Sequence, residues 1–241
     1  MSKEAKILIA IAGVVILAGV LLAIFANPRP LDPGAPVDTD SIVREHNYMT
    51  GSLDAKVQMI EFADYQCPAC AAAHPILKRL IAEYGDNPDF NFIFKNFPLD
   101  SIHPNARPAA EAAEAAGEQG KYWEMNDLLF VNQGQWASNP SPIDIFVDFA
   151  QQIGVANIDQ FRQSISIRKY NEIISADVKD GESIGVSSTP TIYINGERMP
   201  NYQYELLRNK IEEILNQEEE EQLVDLSVEP TTEPEDSPEI N

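Results

Sequence analysis

Apolar and polar positions divide this chain into four stretches of different character. Ile7 to Ala26 is a run of twenty residues without a charge, long enough to cross a bilayer as a helix. Lys3 and Lys6 precede it, which favours a cytoplasmic N-terminus with the remainder of the chain outside. A cleaved signal peptide is the rival reading. Its apolar core usually has about 7–15 residues, and Ile24 stands where cleavage before Asn27 would prefer a small residue. Residues 27–40 carry Pro28, Pro30, Pro33 and Pro36 and read as a semi-stiff spacer. Residues 41–216 show the mixed periodicities of a folded domain. Residues 217–241 hold ten acidic residues and no basic one, with Pro230, Pro234 and Pro238. That composition predicts a disordered, solvating tail.

Within 41–216 the pattern predicts alternating strands and helices. Ser41 to Tyr48 reads as a short helix capped by Asp40 or Ser41. Gly51 to Asp54 is a turn. Val57 to Ala63 is a strand, Ala71 to Tyr84 a helix with Pro75 inside it and an expected kink there. Asp89 to Phe97 alternates Phe90, Phe92 and Phe94 with Asn91, Ile93 and Lys95, as a strand does. Asn105 to about Gly185 is largely helical, in pieces near Ala109–Ala116, Tyr122–Val131, Pro142–Gln152, Ile158–Ile167 and Tyr170–Gly181. Thr191 to Ile194 is a strand, Asn195-Gly196 a hairpin turn, and Glu197 to Met199 an edge strand. Tyr202 to Leu215 closes the domain as a helix.

Composition narrows the class. A 44% hydrophobic content suits a globular core. The formal charge of −21 over 241 residues argues against nucleic-acid binding, which needs basic patches.

The candidate chemistry lies at Cys67-Pro68-Ala69-Cys70, which holds both cysteines of the chain. A C-x-x-C between a strand and a helix is a thioredoxin-type redox arrangement. Unpaired N–H groups and a partial positive charge at the helix start favour the Cys67 thiolate, the reactive species. Pro68 suits the first helical turn. Three other readings stand beside it: half of a zinc site, a purely structural disulfide, or two inert thiols. Zinc normally takes four N or S ligands, and His46, His74 and His103 are scattered. A two-residue loop gives a structural disulfide little entropic leverage. Glu61 interrupts an apolar strand. It is either buried with a raised pKa, able to relay the Cys70 proton, or an edge-strand glutamate facing water. Pro190 starts the β-branched strand and is a candidate cis-proline, with an ordinary trans proline as the alternative. His74, three residues past Cys70, is within possible reach of the site or simply a partly exposed helical residue.

Taken jointly, several segments resemble the DsbA-like thiol:disulfide oxidoreductases of the thioredoxin superfamily, in their membrane-anchored bacterial branch. They are Phe62 to Cys70, Lys95-Asn96-Phe97-Pro98-Leu99, His103-Pro104 with Ala109 to Ala113, Gly120 to Glu124, and Ser188-Thr189-Pro190-Thr191. They run in family order from about Ala55 to Leu215. The resemblance implies an α/β thioredoxin fold with a helical insertion over about 104–185, preceded by one transmembrane helix. It implies that Cys67 is the exposed nucleophile and Cys70 its buried partner, that Glu61 is the buried acid, and that Pro190 is the cis-proline facing the disulfide. Thr189 would offer backbone hydrogen bonds to a bound peptide, with Pro68 and Ala69 in the substrate-binding surface. One departure matters. Strongly oxidising members have histidine where this chain has Ala69, so a milder thiol pKa shift and a less oxidising disulfide are expected.

The resulting expectation is an extracytoplasmic, membrane-anchored thiol:disulfide oxidoreductase that introduces disulfides into exported polypeptides. Its partners would be cysteine-containing substrates, the bilayer through residues 7–26, and a membrane quinone-linked thiol oxidase for reoxidation. No cofactor or metal need bind the chain. An isomerase or reductase using the same site is the nearest alternative, and a non-catalytic chaperone-like binder on the same scaffold is another.

Overall fold

Two neighbouring strands set the frame. β2 (Val57–Ala63) and β3 (Phe90–Asn96) run parallel in register, Val57 against Phe90 through Ala63 against Asn96. Parallel neighbours need a crossover, and α1 (Pro68–Tyr84) supplies it. β1 (Tyr48–Met49) adds antiparallel to β3 at one side. β4 (Thr191–Ile194) pairs antiparallel with β2, and β5 (Glu197–Arg198) with β4, so the sheet order is β1-β3-β2-β4-β5. The chain is described here from a computed structural model covering residues 36–226. The expected transmembrane segment, most of the proline-rich spacer and the last fifteen residues lie outside the described residues. Among the described residues no helix is long and apolar enough to cross a membrane.

Six helices lie in the chain between β3 and β4: α2 (Ala106–Gly117), α3 (Tyr122–Val131), α4 (Gln133–Trp136), α5 (Ile143–Gln152), α6 (Ile158–Ser166) and α7 (Asn171–Ser183). The alanines of α2 are all buried, because small side chains let helices approach closely. The short α4 had no signal of its own in the pattern. It exists because Trp136 is fully buried against Phe146, with its indole N–H donating to the Leu129 carbonyl at 2.9 Å. Asn195 (φ 46°) and Gly196 (φ 79°) form the expected tight turn, both left-handed as a type I′ hairpin requires.

Three boundaries differ from expectation. The helix expected over Ser41–Tyr48 is only a 3₁₀ turn, Thr39–Ser41, capped by Asp38. The residues after it are drawn into long-range contacts instead. α1 runs unbroken through Pro75 and begins at Pro68, so it takes in Pro68, Ala69 and Cys70 with Cys67 as its N-cap. α8 starts at Tyr204 and continues to Leu226, so 217–226 are helical where composition predicts disorder. Glutamate is a good helix former, and an established helix extends cheaply.

β3 does not alternate between core and water; all seven of its residues are buried. Phe90, Phe92 and Phe94 join the larger core with α1 and α3, and Ile93 joins a second core on the opposite face. Lys95, also on that second face, is completely buried. Its ammonium lies 2.8 Å from Asp180 and 3.2 Å from Asp177 on α7, and it also donates to the Ile42 carbonyl. Arg44 closes on Asp180 at 2.6 Å, and His46 and Asn47 close on Asp177 at 3.2 and 2.7 Å. Burial alone would raise the Asp180 pKa, but Arg44 and Lys95 outweigh it and hold the carboxyl below its ordinary value. Lys95→Met will therefore leave two carboxylates without their shared cation and lower stability by about 3–5 kcal/mol in denaturant unfolding. The exposed Lys121–Glu124 pair sets the contrast: Lys121→Ala will cost under about 1 kcal/mol. Equal losses for the two variants would refute this account.

Candidate active site

The loop joining β2 to α1 is fixed residue by residue. Tyr65 is buried, its ring packed against Phe94 and Phe130 and its hydroxyl accepting from Asn126 at 2.9 Å. Asp64 accepts from the Gln66 and Leu99 N–H groups at 2.7 and 2.8 Å and pairs with His103 at 2.7 Å. Gln66 accepts from the Asn105 N–H and donates to the Ala137 carbonyl, both at 2.7 Å. Gln133 on α4 donates to the carbonyls of Tyr65 (2.8 Å) and Cys67 (3.0 Å). The helical block thus holds the loop by its backbone and by one of its side chains. Sequence reasoning missed Asp64, Gln66, Asn105 and Gln133 in this role. Only Asp64, two residues before an N–H it could cap, left a local signal.

Cys67 is the N-cap of α1 and Pro68 its first residue. Cys67 is 8% exposed and Cys70 is fully buried; both are free thiols. The Cys67 thiol approaches the Thr189 carbonyl at 3.5 Å. The Thr189–Pro190 peptide is cis, and its Thr189 carbonyl is the group that meets the Cys67 thiol. The structure thus brings Cys67, Cys70, Thr189 and Pro190 together, with Pro68 and Ala69 between the cysteines at the helix start.

The two thiols are driven in opposite directions. The Cys67 pKa is lowered from 9.0 to about 5, first by a hydrogen bond from the Cys70 thiol. Burial works against this, while Thr189 and the N–H groups of Cys70 and Ala69 add to it. Those N–H groups do not close a regular capping bond in the thiol form. The Thr189 hydroxyl is buried and otherwise unpartnered, so the thiolate is the acceptor at hand. Neutral hydrogen-bond donors thus lower the thiol without the histidine that Ala69 replaces. Cys70 moves well above its ordinary value, through burial, then its bond to Cys67, then the nearby Glu61.

Glu61 sits in the centre of the sheet between Phe94 on β3 and Ile192 on β4. It is 3% exposed, not an edge residue, and burial raises its pKa from 4.5 to about 8. The folded carboxyl keeps its proton to about pH 8, while the unfolded chain releases it from about pH 4.5. The native state then binds more protons than the unfolded state, so stability falls as pH rises through that window. Glu61→Gln removes the loss. It will leave stability unchanged near pH 4 and raise it by up to about 4 kcal/mol at pH 8. Denaturant unfolding at the two pH values checks this, and a gain independent of pH would contradict it.

His46 and His103 are committed to Asp177 and Asp64. Among the described residues, no three His, Cys, Asp or Glu side chains gather as a metal ion would require.

The comparisons agree with this geometry. A family model described as thioredoxin matches residues 44–213. BdbD from Bacillus subtilis is similar in structure, with a TM-score of 0.65 and 23% identity over 71% of this chain and 94% of that one. Alpha-DsbA1 from Wolbachia pipientis has a TM-score of 0.64 at 22% identity, over 73% and 94%. MdbA from Corynebacterium diphtheriae, described as a thiol-disulfide oxidoreductase, has a TM-score of 0.57 at 22% identity, over 65% and 84%. Among curated proteins, the Na(+)/H(+) antiporter NhaA 1 of Salinispora arenicola is 36% identical over 168 residues, 70% of this chain. The match takes in 24% of that protein, so the chain spans about a quarter of the length of the curated relatives it matches. Family model and fold converge: the chain belongs to the thioredoxin family, with a fold similar to those of BdbD and alpha-DsbA1.

Proposed function

We propose that this protein is a thiol:disulfide oxidoreductase that introduces disulfide bonds into exported polypeptides. The observation that carries the reading is the placement of the pair, Cys67 at the N-cap of α1 against the Thr189 carbonyl and Cys70 fully buried, which lowers the Cys67 pKa and raises that of Cys70. A stabilised thiolate favours the reduced dithiol and so makes the disulfide oxidising. In the oxidised protein, a substrate thiolate attacks Cys67. The Cys67–Cys70 bond breaks, Cys70 leaves as thiolate and takes the Glu61 proton. A second substrate thiolate then attacks the mixed disulfide, closes the substrate disulfide and releases Cys67 as thiolate. Thr189 and Pro190 flank the peptide beside Cys67. Val131 and Ile102 are apolar side chains 73% and 66% exposed. They stand two residues from Gln133 and one from His103, both tied to the redox loop, and give an unfolded polypeptide something to cover.

The run Ile7–Ala26 supports an anchor in the cell membrane, with the domain on the outer side, where disulfides form and persist. The name of the curated relatives, a sodium–proton antiporter, accords with a domain held at a membrane; antiport itself has no bearing on the Cys67 chemistry. A quinone-linked thiol oxidase in the membrane would return the dithiol to the disulfide.

The test is the reduction potential of the full chain, equilibrated against glutathione. A value well above the glutathione pool, toward the DsbA end at about −120 mV, is expected. A value near about −270 mV, that of thioredoxin, would make the protein a reductant or isomerase instead.

A further inference from the structure

The Glu61 carboxyl has no protein hydrogen-bond partner that moves its pKa; burial alone acts on it. It lines a cavity of ≈ 250 Å³ whose other polar walls are Thr50, His74, Lys78 and Asn126, with aromatic and aliphatic side chains closing the rest. Water occupies about 30 Å³ in the liquid, so the cavity has room for several molecules, and its polar groups supply their partners. A proton that Glu61 takes from Cys70 has to leave the interior, and Glu61 itself does not reach solvent.

The groups at the cavity's outer side are built for that exchange. The His74 side chain is 11% exposed, its ring stacked on Phe130 at 4.8 Å and its Nε2 3.1 Å from Asp127. Lys78 holds the other oxygen of Asp127 at 2.8 Å, and both are substantially exposed. Burial would raise the Asp127 pKa, but His74 and Lys78 together bring it below its ordinary value, so it stays a carboxylate. Around Glu61, α1 brings Cys70, His74 and Lys78, and α3 brings Asp127 behind His74. The loop after β2 brings Tyr65, whose phenol burial keeps protonated. β3 contributes only the rings of Phe92 and Phe94. Imidazole is the side chain that ordinarily changes charge near neutral pH.

We propose that His74 is the point at which the Glu61 proton is exchanged with solvent, through water in the cavity, with Asp127 holding the imidazole in place. This rests on the exchange chemistry proposed above and adds a positioning residue to it. When Cys70 attacks a mixed disulfide, its S–H proton passes to the Glu61 carboxylate. The Cys67–substrate S–S bond breaks, the Cys67–Cys70 bond forms, and the substrate leaves as thiolate. His74 changes no oxidation state; it accepts the proton arriving from Glu61 and releases one to bulk water. In the opposite direction it returns a proton to Glu61.

The experiment compares the reduced full chain with reduced His74→Gln, His74→Ala and Glu61→Gln, using a disulfide-bonded peptide as substrate, so that Cys67 opens the peptide disulfide and Cys70 resolves the mixed disulfide. It follows formation and resolution of the mixed disulfide by rapid quench from pH 5 to 9. His74→Gln keeps a hydrogen bond to Asp127 but cannot titrate. The expected result is resolution slowed about tenfold, an unchanged reduction potential, and a flattened pH profile. Added imidazole will restore the rate of His74→Ala but not that of Glu61→Gln. A His74→Gln rate and pH profile equal to wild type, with Glu61→Gln slow, would overturn the role of His74 and leave the exchange chemistry standing. Slowing without imidazole rescue would mark His74 as structural and overturn it equally. Absence of exchange in the wild-type chain would overturn the underlying reading itself.

Discussion

Cys67→Ser will reduce thiol–disulfide exchange to background while leaving the fold intact, and Cys70→Ser will trap substrate as a stable mixed disulfide. The asymmetry follows from the environments of the two sulfurs. Cys67 is the thiol with solvent access and the lowered pKa, so it both receives attack and leaves readily. A serine hydroxyl at the N-cap position keeps the helix start, since serine is among the preferred caps, but cannot form the disulfide. Cys70 is buried and held as a thiol, so its task is to resolve what Cys67 has captured. Mass spectrometry of the two variants incubated with an oxidised peptide separates the outcomes. A covalent adduct on Cys70 in Cys67→Ser, at the wild-type rate, would reverse the assignment. Retained function in Cys67→Ser would point to a non-catalytic binder.

The second large effect is a stability difference between redox states. At neutral pH the reduced protein will gain relative to the oxidised one from the Cys67 thiolate, which the disulfide lacks. The folded Cys67 titrates at about 5 and the unfolded thiol near 9. The contribution is full above about pH 9 and is lost as pH falls through 5. At pH 7 the unscreened value is about 2.7 kcal/mol. The sulfur is only partly enclosed by protein, so solvent screening leaves about 1–1.5 kcal/mol, or roughly 30 mV of reduction potential. Unfolding of both redox states at pH 4, 7 and 9 measures it. The gap between them should shrink at pH 4 and widen at pH 9; a gap that ignores pH would remove thiolate stabilisation as the source of oxidising power.

What could be read from sequence was whatever depends on short spacing. The strand Val57–Ala63, the helix Tyr122–Val131 and the Asn195-Gly196 turn emerge within a residue or so of their observed limits, because period, caps and turn chemistry are local. Glu61 stood out because one acid in an apolar strand breaks a local rule, and such breaks gather at functional sites. Lys95 broke the same rule less visibly. It fell on the alternate positions of its strand, while its partners lie 82 and 85 residues further along the chain. The segment 41–48 misled for the same reason, since Arg44, His46 and Asn47 are fixed by α7 rather than by their neighbours. The sources of the lowered Cys67 pKa were not legible in the motif, because the donors come from backbone geometry and from Thr189, 122 residues away.

Gln133 grips the carbonyl oxygens of Tyr65 and Cys67, and carbonyl oxygens are common to every amino acid. Nothing in that grip depends on which side chains occupy Pro68 and Ala69. The dipeptide between the cysteines is therefore a replaceable cartridge in a fixed mount. Variants there, natural or made, can reset the oxidising strength one residue at a time without rebuilding the helical scaffold, provided the first position still suits the opening turn of a helix.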